Sequence, residues 1–428
     1  MDRLAGLGTC LRKGRLESVM GNSLLASLPG ARLGERVHFE GGHGWGEVVG
    51  FDGERVRLAP AGRVQGLRPG LGLHCSGASF RVPFGEDLQG RIIDAQARPM
   101  DEAGPWHVQS MLELHGLTPD PLARQAVVRP MPTGVRCLDA LVSLAEGQRL
   151  GLFAGPGLGK SSLLGQLARG CQADRLVIAL VGERGREIGD FLRDELGPDG
   201  LARTVVVAAP ADVPAADRAR VVPMATAIAE GFRDRGHRVL LLVDSLTRHA
   251  RALRELALGA GELMGRGGYP PSVFESLATL VERAGCGSQG SITAIYTVLT
   301  EGDLEADPLA EELRGLLDGH WVLSRELAAR GCFPALDPLR SLSRLMDRVI
   351  TPEHAKAAGR IKSLFGAYWD RRDLIAAGAY EQGTEVETDH AMAIWPQILA
   401  FFQQAKETKV SWEESLNALE ALLEREWK

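Results

Sequence analysis

The chain has 428 residues, enough for two to three domains, and its 45% hydrophobic and 24% charged content is ordinary for a globular protein. A net charge of −6 and a pI near 6.0 give no bulk electrostatic push toward nucleic acid or an anionic membrane. No run of about 18 apolar residues is present, which excludes a transmembrane helix; Cys10, Cys75, Cys137, Cys171, Cys286 and Cys332 form no C-x-x-C pair, which argues against a zinc site or a disulfide framework and fits a reducing cytosol.

At the N-terminus a weak apolar stretch is followed, not preceded, by its main basic cluster, the wrong order for a signal peptide. From about Gly14 to Val82, short alternating segments such as Arg36-Val37-His38-Phe39 and Arg55-Val56-Arg57-Leu58 are separated by recurrent turn signals: Pro29-Gly30, Gly41-Gly42, Asp52-Gly53, Pro69-Gly70. That pattern predicts a small all-β barrel over 1–82. Residues 83–125, marked by Pro83, Pro99, Pro105, Pro119 and Pro121, read as an irregular connecting segment leading into the next domain.

From about Gly134 apolar runs alternate with helical stretches. The runs are Leu150–Ala154, Leu176–Val181, Thr204–Ala208, Val239–Val243 and Ser291–Val298. This is the signature of an α/β domain built on a parallel sheet, assigned to 83–346. After about Asp347 the chain becomes helical and poor in strands, ending in a charged amphipathic segment at Trp412–Trp427, so 347–428 is expected to be a helical domain.

The chemistry starts at the first of these strands. It runs into Gly155-Pro156-Gly157-Leu158-Gly159-Lys160-Ser161-Ser162 and then an apolar helix, Leu163–Arg169. Glycines let backbone N–H groups converge on phosphate oxygens, and the helix N-terminus adds its dipole. Lys160 is placed to reach the β- and γ-phosphates of ATP, and Ser161 to coordinate Mg²⁺. The loop departs from the strict G-x-x-x-x-G-K-[ST] pattern by Ala154 at its first position. Pro156 removes one N–H, but those of Gly157, Gly159 and Lys160 remain. The apolar run Val239–Val243 ends in Asp244, which, paired with a phosphate loop, is expected to hold Mg²⁺ through water. The strand Val177–Val181 leads into Gly182-Glu183-Arg184-Gly185-Arg186-Glu187; Glu183 is a candidate to polarise an attacking water and Arg184 to offset phosphate charge. By residue type alone, a solvated loop of alternating charges explains that stretch better.

Further segments carry a more specific signal. They include Leu28-Pro29-Gly30-Ala31, Gly46-Glu47-Val48-Val49-Gly50-Phe51, Gly90-Arg91-Ile92-Ile93-Asp94 and Asp244-Ser245-Leu246-Thr247-Arg248. Later in the chain come Gly268-Tyr269-Pro270-Pro271-Ser272-Val273-Phe274, Leu317-Asp318-Gly319-His320 and Ser341-Leu342-Ser343-Arg344. Over nearly its whole length the sequence resembles the ATPases of flagellar and virulence type III protein export, relatives of the catalytic β subunit of rotary ATP synthases. The resemblance implies a RecA-like P-loop NTPase core between a ring-forming N-terminal β-barrel and a C-terminal helical domain. It implies that Glu183 is the general base, that Arg184 contacts phosphate, and that Phe333 stacks on adenine; a core phenylalanine is the plainer reading of Phe333. It implies that Arg344 is an arginine finger acting in a neighbouring subunit's site, worth about 10³–10⁵ in rate in comparable enzymes, and hence a homohexamer.

The same resemblance implies a cytoplasmic enzyme associated peripherally with a membrane export gate. Its expected partners are export substrates, their chaperones, a regulatory stator protein and a central stalk. Trp395-Pro396-Gln397 through Gln403-Gln404, with Trp412-Glu413-Glu414-Ser415-Leu416, looks closer to flagellar than to injectisome members. An ATP synthase-type subunit or a hexameric RNA translocase are the rivals; the acidic net charge and the absence of a basic, aromatic stripe in the barrel speak against nucleic acid. Two departures stand out. Only about 14 residues precede the barrel, where many relatives carry a longer region that engages the stator and lipid. The stretch 210–217, with Pro210, Asp212, Pro214 and Asp217, differs from the family's usual loop.

Overall fold

Alternation builds the N-terminal unit. In Glu35–Phe39 the side chains of Val37 and Phe39 point inward and are buried, and in Arg55–Ala61 those of Val56 and Leu58 do the same. The computed structural model describes residues 12–426 apart from Asn22, Arg63 and 301–306; residues 1–11, with Cys10, and Trp427 lie outside that set. Among the described residues six strands, Lys13–Met20, Ser23–Ser27, Arg55–Ala61, Trp45–Asp52, Glu35–Phe39 and Gly72–Ser79, close in that spatial order into a barrel. Leu16, Leu24, Leu58, Val37 and Leu73 fill its interior. Closure leaves no free strand edge.

The second unit is the expected parallel sheet. Each apolar run forms a strand slightly longer than the run itself: Arg149–Ala154, Arg175–Glu183, Thr204–Pro210, Arg238–Asp244 and Ser291–Leu299. In space the order is Leu342–Ser343, Gly319–Val322, Arg149–Ala154, Ser291–Leu299, Arg238–Asp244, Arg175–Glu183, Thr204–Pro210, Ile92–Asp94. All neighbours in this order pair in parallel except the first two. Both faces are covered, so the runs are continuously apolar rather than alternating. Leu150, Leu152, Leu176, Ile178, Leu240 and Leu242 face one core, and Phe153, Val177, Ala179, Val239 and Leu241 face the other.

Residues 83–125 are more than a connector. Ile92–Asp94 adds the edge strand beside Thr204–Pro210, and Ser110–Glu113 pairs with Arg81–Phe84. Three- and four-residue strands carry too little periodicity to be read from sequence. The stretch 210–217 is also only partly a loop. The helix Ala215–Arg233 begins within it, and Asp217 is buried. Its carboxylate accepts hydrogen bonds from the barrel's Gly62 N–H and from Arg220 Nη1, both at 2.9 Å, while the Arg220 guanidinium lies 4.5 Å from the ring centre of Trp45 in the barrel. This charged cluster fastens the barrel to the sheet domain.

Beyond the sheet come three long helices, Pro352–Ala376, Val386–Phe402 and Trp412–Glu426. The first starts with Pro352 behind Thr351, whose hydroxyl accepts from His354 N–H at 3.2 Å, a start signal that caps the free N–H groups of the first turn. Their aromatic residues interlock, with Tyr368 stacked on Trp395 at 3.7 Å and Phe365 packed on Trp369. Ile361, Phe365, Ile398 and Phe402 belong to the same core as Leu150 and Leu152, so this helical region grows directly onto one face of the sheet.

Removing one partner of a buried ion pair strands the other charge, at a cost of about 3–5 kcal/mol. Asp217→Ala is therefore expected to lower the calorimetric melting temperature clearly, whereas Asp212→Ala, on the exposed turn before the helix, leaves it unchanged.

Candidate active site

The parallel strands end at one edge of the sheet, and that edge gathers Lys160, Glu183, Arg184 and Asp244 among the charged residues singled out in the sequence. Arg149–Ala154 runs into the glycine loop and the helix Lys160–Gly170. Gly157 and Gly159 take φ values of +76° and +82°, the left-handed region that a side chain resists. The turn they make aims the N-terminus of the helix into a cavity of about 580 Å³ lined by Gly155, Lys160, Ser161, Glu183, Asp244 and Arg248. Pro156 and Gly157 are exposed at its rim, Leu158 is buried beneath, and Ser161 is exposed on the first helical turn. Ser162 also lines the cavity, and its hydroxyl donates to Glu195 Oε1 at 2.9 Å.

The centre of the cavity holds two buried carboxylates and two cations. Lys160 Nζ forms an ion pair with Asp244 Oδ1 and stands 3.7 Å from Glu183 Oε1. Thr297, on the strand between, donates its hydroxyl to Asp244 Oδ1 at 2.9 Å. Arg248 pairs with Glu183 Oε2 and donates to Gly182 C=O at 2.8 Å. Glu183 Oε1 is buried and has no hydrogen-bond partner. A buried acceptor left open in this way is costly in a purely structural role and fits one that meets a water or a ligand. The Glu183 carboxyl is pushed up to about 7, by burial first, then by Glu187 and Asp244, against the opposing pull of Lys160 and Arg248. The two cations thus fail to offset desolvation and like-charge repulsion.

The remaining sequence candidates fall into two groups. Phe333 sits at the glycine loop, close enough that a side chain on Gly159 would lie 3.3 Å from its ring, and it is 43% exposed; it is not a core residue. Arg184 lines the cavity, but its side chain is 84% exposed and pairs with Glu187 at 3.6 Å rather than with the central carboxylates. Arg344 is not at this edge at all. Its N–H donates to Asp318 C=O, and Asp318 in turn is bonded to Arg149 at the opposite end of the phosphate-loop strand. Five residues at about 3.3 Å each put that end roughly 17 Å below Ala154.

Two members of the site carried no assigned role in the sequence. Arg248 lies four residues after Asp244, one turn into the helix Leu246–Gly259, where a helix start behind a strand-end carboxylate returns a side chain to the sheet edge. Thr297 had no signal of its own: its role depends on the Ser291–Leu299 strand being inserted between those of Lys160 and Asp244.

Comparison with known proteins bears on the same residues. A family model described as the ATP synthase alpha/beta family, nucleotide-binding domain, matches residues 134–343, and one described as the T3SS EscN ATPase C-terminal domain matches 350–421. A type 3 secretion system ATPase of Sinorhizobium fredii is 45% identical over 420 residues, covering 97% of this chain and 93% of the relative. A flagellum-specific ATP synthase of Salmonella typhimurium is 47% identical over 388 residues, covering 88% and 84%. The solved structure of the assembled ATPase EscN of enteropathogenic E. coli superposes with a TM-score of 0.92 at 43% identity, over 96% of this chain and all of that one. EscN in complex with its central stalk EscO gives 0.89 at 42%, over 96% of this chain and all of that one.

A raised carboxyl stays protonated further up the pH scale. In infrared difference spectra of wild type minus Glu183→Gln without nucleotide, the protonated-carboxyl band should persist to about pH 7. Arg248 favours the charged form, so Arg248→Ala should carry the band to still higher pH; disappearance of the band in the ordinary glutamate range would contradict this electrostatic picture.

Proposed function

The chain belongs to the type III secretion ATPases within the ATP synthase alpha/beta family, and we propose that it hydrolyses Mg-ATP at sites shared between the subunits of a homohexamer to drive protein export. The observation that carries this reading is the open Glu183 Oε1 beside the Lys160–Asp244 pair, with Arg344 at the far end of the same sheet. An incoming triphosphate competes with Asp244 for the Lys160 ammonium. Asp244, so released, and Ser161 would hold Mg²⁺, which supplies positive charge against the phosphates. The N–H groups of Gly157, Gly159 and Lys160 face the phosphate oxygens, with Gly155, Pro156, Leu158 and Ser162 shaping the turn, and Phe333 offers its ring to adenine. Glu183, once ionised, accepts a proton from the attacking water through Oε1, while Arg248 holds Oε2 and fixes the carboxylate's orientation. Arg184, exposed at the rim, is free to swing toward phosphate.

Arg344 would act on the next subunit. On this reading residues 1–82 form the ring-holding barrel, 83–346 the ATPase domain and 347–428 the helical domain that meets substrates and chaperones. A central stalk is expected in the ring by likeness to EscN with EscO. A stator protein and an export gate complete the assembly at the cytoplasmic side of the membrane. Among the described residues no helix is long and apolar enough to cross one, as a peripheral role requires.

Relatives of both flagellar and virulence kind are similarly close. The flagellar reading rests on the C-terminal stretch from Trp395 to Gln404 and on Trp412–Leu416. Expression of this chain in flagellated cells lacking their own export ATPase should restore swimming; restored injectisome secretion without swimming favours the virulence system.

Subunit sharing has its own test. Lys160→Ala and Arg344→Ala should each cut turnover by about 10³ or more. Mixed together, the two proteins form some interfaces with an intact Lys160 on one side and an intact Arg344 on the other. ATP hydrolysis should then recover to a measurable fraction of wild type. No recovery in mixtures shown to co-assemble would mean that Arg344 acts within its own chain or not at all.

A further inference from the structure

The helix Leu246–Gly259 has a second side. Arg248 faces Glu183, but the next residue, His249, points into a cavity of about 360 Å³ that lies between the barrel and the sheet domain. Barrel residue Glu47 contributes one wall, and the helices Ala215–Arg233, Leu246–Gly259 and Pro271–Glu282 contribute the others through residues such as Arg220, Leu253 and Leu280. Small-molecule sites typically measure about 300–1,000 Å³ and combine apolar walls with a few convergent polar groups.

The polar groups are unusual in being unsatisfied. His249 is 2% exposed and its Nδ1 has no hydrogen-bond partner; Arg220 is 3% exposed and its Nε has none. Burial and the nearby His115 lower the His249 pKa, so the imidazole is neutral. Both arginines at the cavity already have carboxylate partners, and with Glu275 on the lining the carboxylates outnumber the guanidinium groups. Arg220 is matched by Asp217 at 2.9 Å and Glu47 at 3.5 Å, and Arg283 by Glu230 at 2.6 Å. An anion would meet that excess of carboxylates, and a cation would give up its hydration to face the Arg220 Nε donor, so a neutral ligand suits the cavity. A hydroxyl suits both open groups: it can donate to or accept from Nδ1 whichever tautomer is present, and its oxygen can accept from Arg220 Nε.

We propose that this cavity is a second small-molecule site, separate from the nucleotide site, which takes a neutral, mostly apolar molecule carrying one hydroxyl hydrogen-bonded to His249 Nδ1 and Arg220 Nε. Its position gives it leverage. His249 and Arg248 are consecutive residues of one helical turn, so a ligand that fixes the first also bears on the second and through it on Glu183. The site stands on the cavity's own geometry and does not depend on the export reading.

Equilibrium dialysis of the full chain against 2-naphthol and naphthalene tests it. The expected result is saturable binding of one 2-naphthol per chain, about tenfold tighter than naphthalene, the discrimination that one buried hydrogen bond supplies. His249→Phe removes one of the hydroxyl's two partners and should cut the preference for 2-naphthol by at least about threefold. Thr279→Trp, an exposed position on the rim, should weaken both probes at least about tenfold while wild-type ATP hydrolysis reports an intact fold. The proposal is overturned by absence of saturable 2-naphthol binding below about 1 mM. It is equally overturned by equal wild-type affinity for the two probes, by a preference undiminished in His249→Phe, or by undiminished binding in Thr279→Trp.

Discussion

The Lys160 ammonium is what allows two carboxylates to be buried at one sheet edge. Asp244 and Glu183 end adjacent strands, and burying either without a counter-charge costs several kcal/mol. The strand that delivers Lys160 is separated from that of Asp244 by a whole intervening strand, so about 9–10 Å must be spanned at the usual spacing. A lysine is long enough to reach across, and Thr297 on the intervening strand takes up part of the gap. The order of strands, the glycine turn before Lys160 and the length of its side chain therefore form one constraint. On the function proposed above, phosphate has a claim on the same ammonium, and nucleotide binding and carboxylate release become a single exchange.

Much of this was legible in the sequence because buried parallel strands must be continuously apolar. Five runs gave five strands, each extended by one to three residues, and the residues that closed two of them, Glu183 and Asp244, are among the residues that meet Lys160. The barrel was legible through alternation and glycine turns. What escaped was structure whose signal lives in the partner rather than in the segment. Ile92–Asp94 is a strand because Thr204–Pro210 has an open edge beside it. Asp217 looked like part of a surface loop because nothing local reveals that Gly62, 155 residues earlier, would donate to it. The same applies to Thr297. Arg184 is an intermediate case: it lines the same cavity as Glu183, but one residue past the strand end its side chain is turned toward solvent and Glu187.

The helical region is coupled to the phosphate loop at short range. The helix that begins with Lys160 is gripped further along by the segment after Val386–Phe402: Gln166 donates to Ala405 C=O at 3.2 Å and Arg169 to Lys406 C=O at 2.7 Å. From the other side Gln404 donates to Gly134 C=O at 2.8 Å, and Arg136 Nε to Phe401 C=O at 2.9 Å. The Gly134 and Phe401 carbonyls belong to buried residues and cannot easily exchange these partners for water, while those of Ala405 and Lys406 lie at the surface. A shift of the phosphate-loop helix on nucleotide binding would therefore move the Gln403–Lys406 segment with it, and the stacked helices behind that segment as a body.

Arg344 completes the argument for assembly by its distance. Within one chain it hangs on Asp318 at the amino end of the sheet, while the phosphate loop opens at the carboxyl end. A rigid, fully packed sheet offers no hinge between the two, so the finger role proposed for Arg344 cannot be played at the site of its own subunit. They can meet only if one subunit presents the side bearing Arg344 to the phosphate side of the next. Such a contact joins two different surfaces and repeats around an axis until the rotation closes, which makes a ring the natural product. The closed barrel suits this arrangement, because it has no strand edge through which neighbours might instead polymerise by sheet extension.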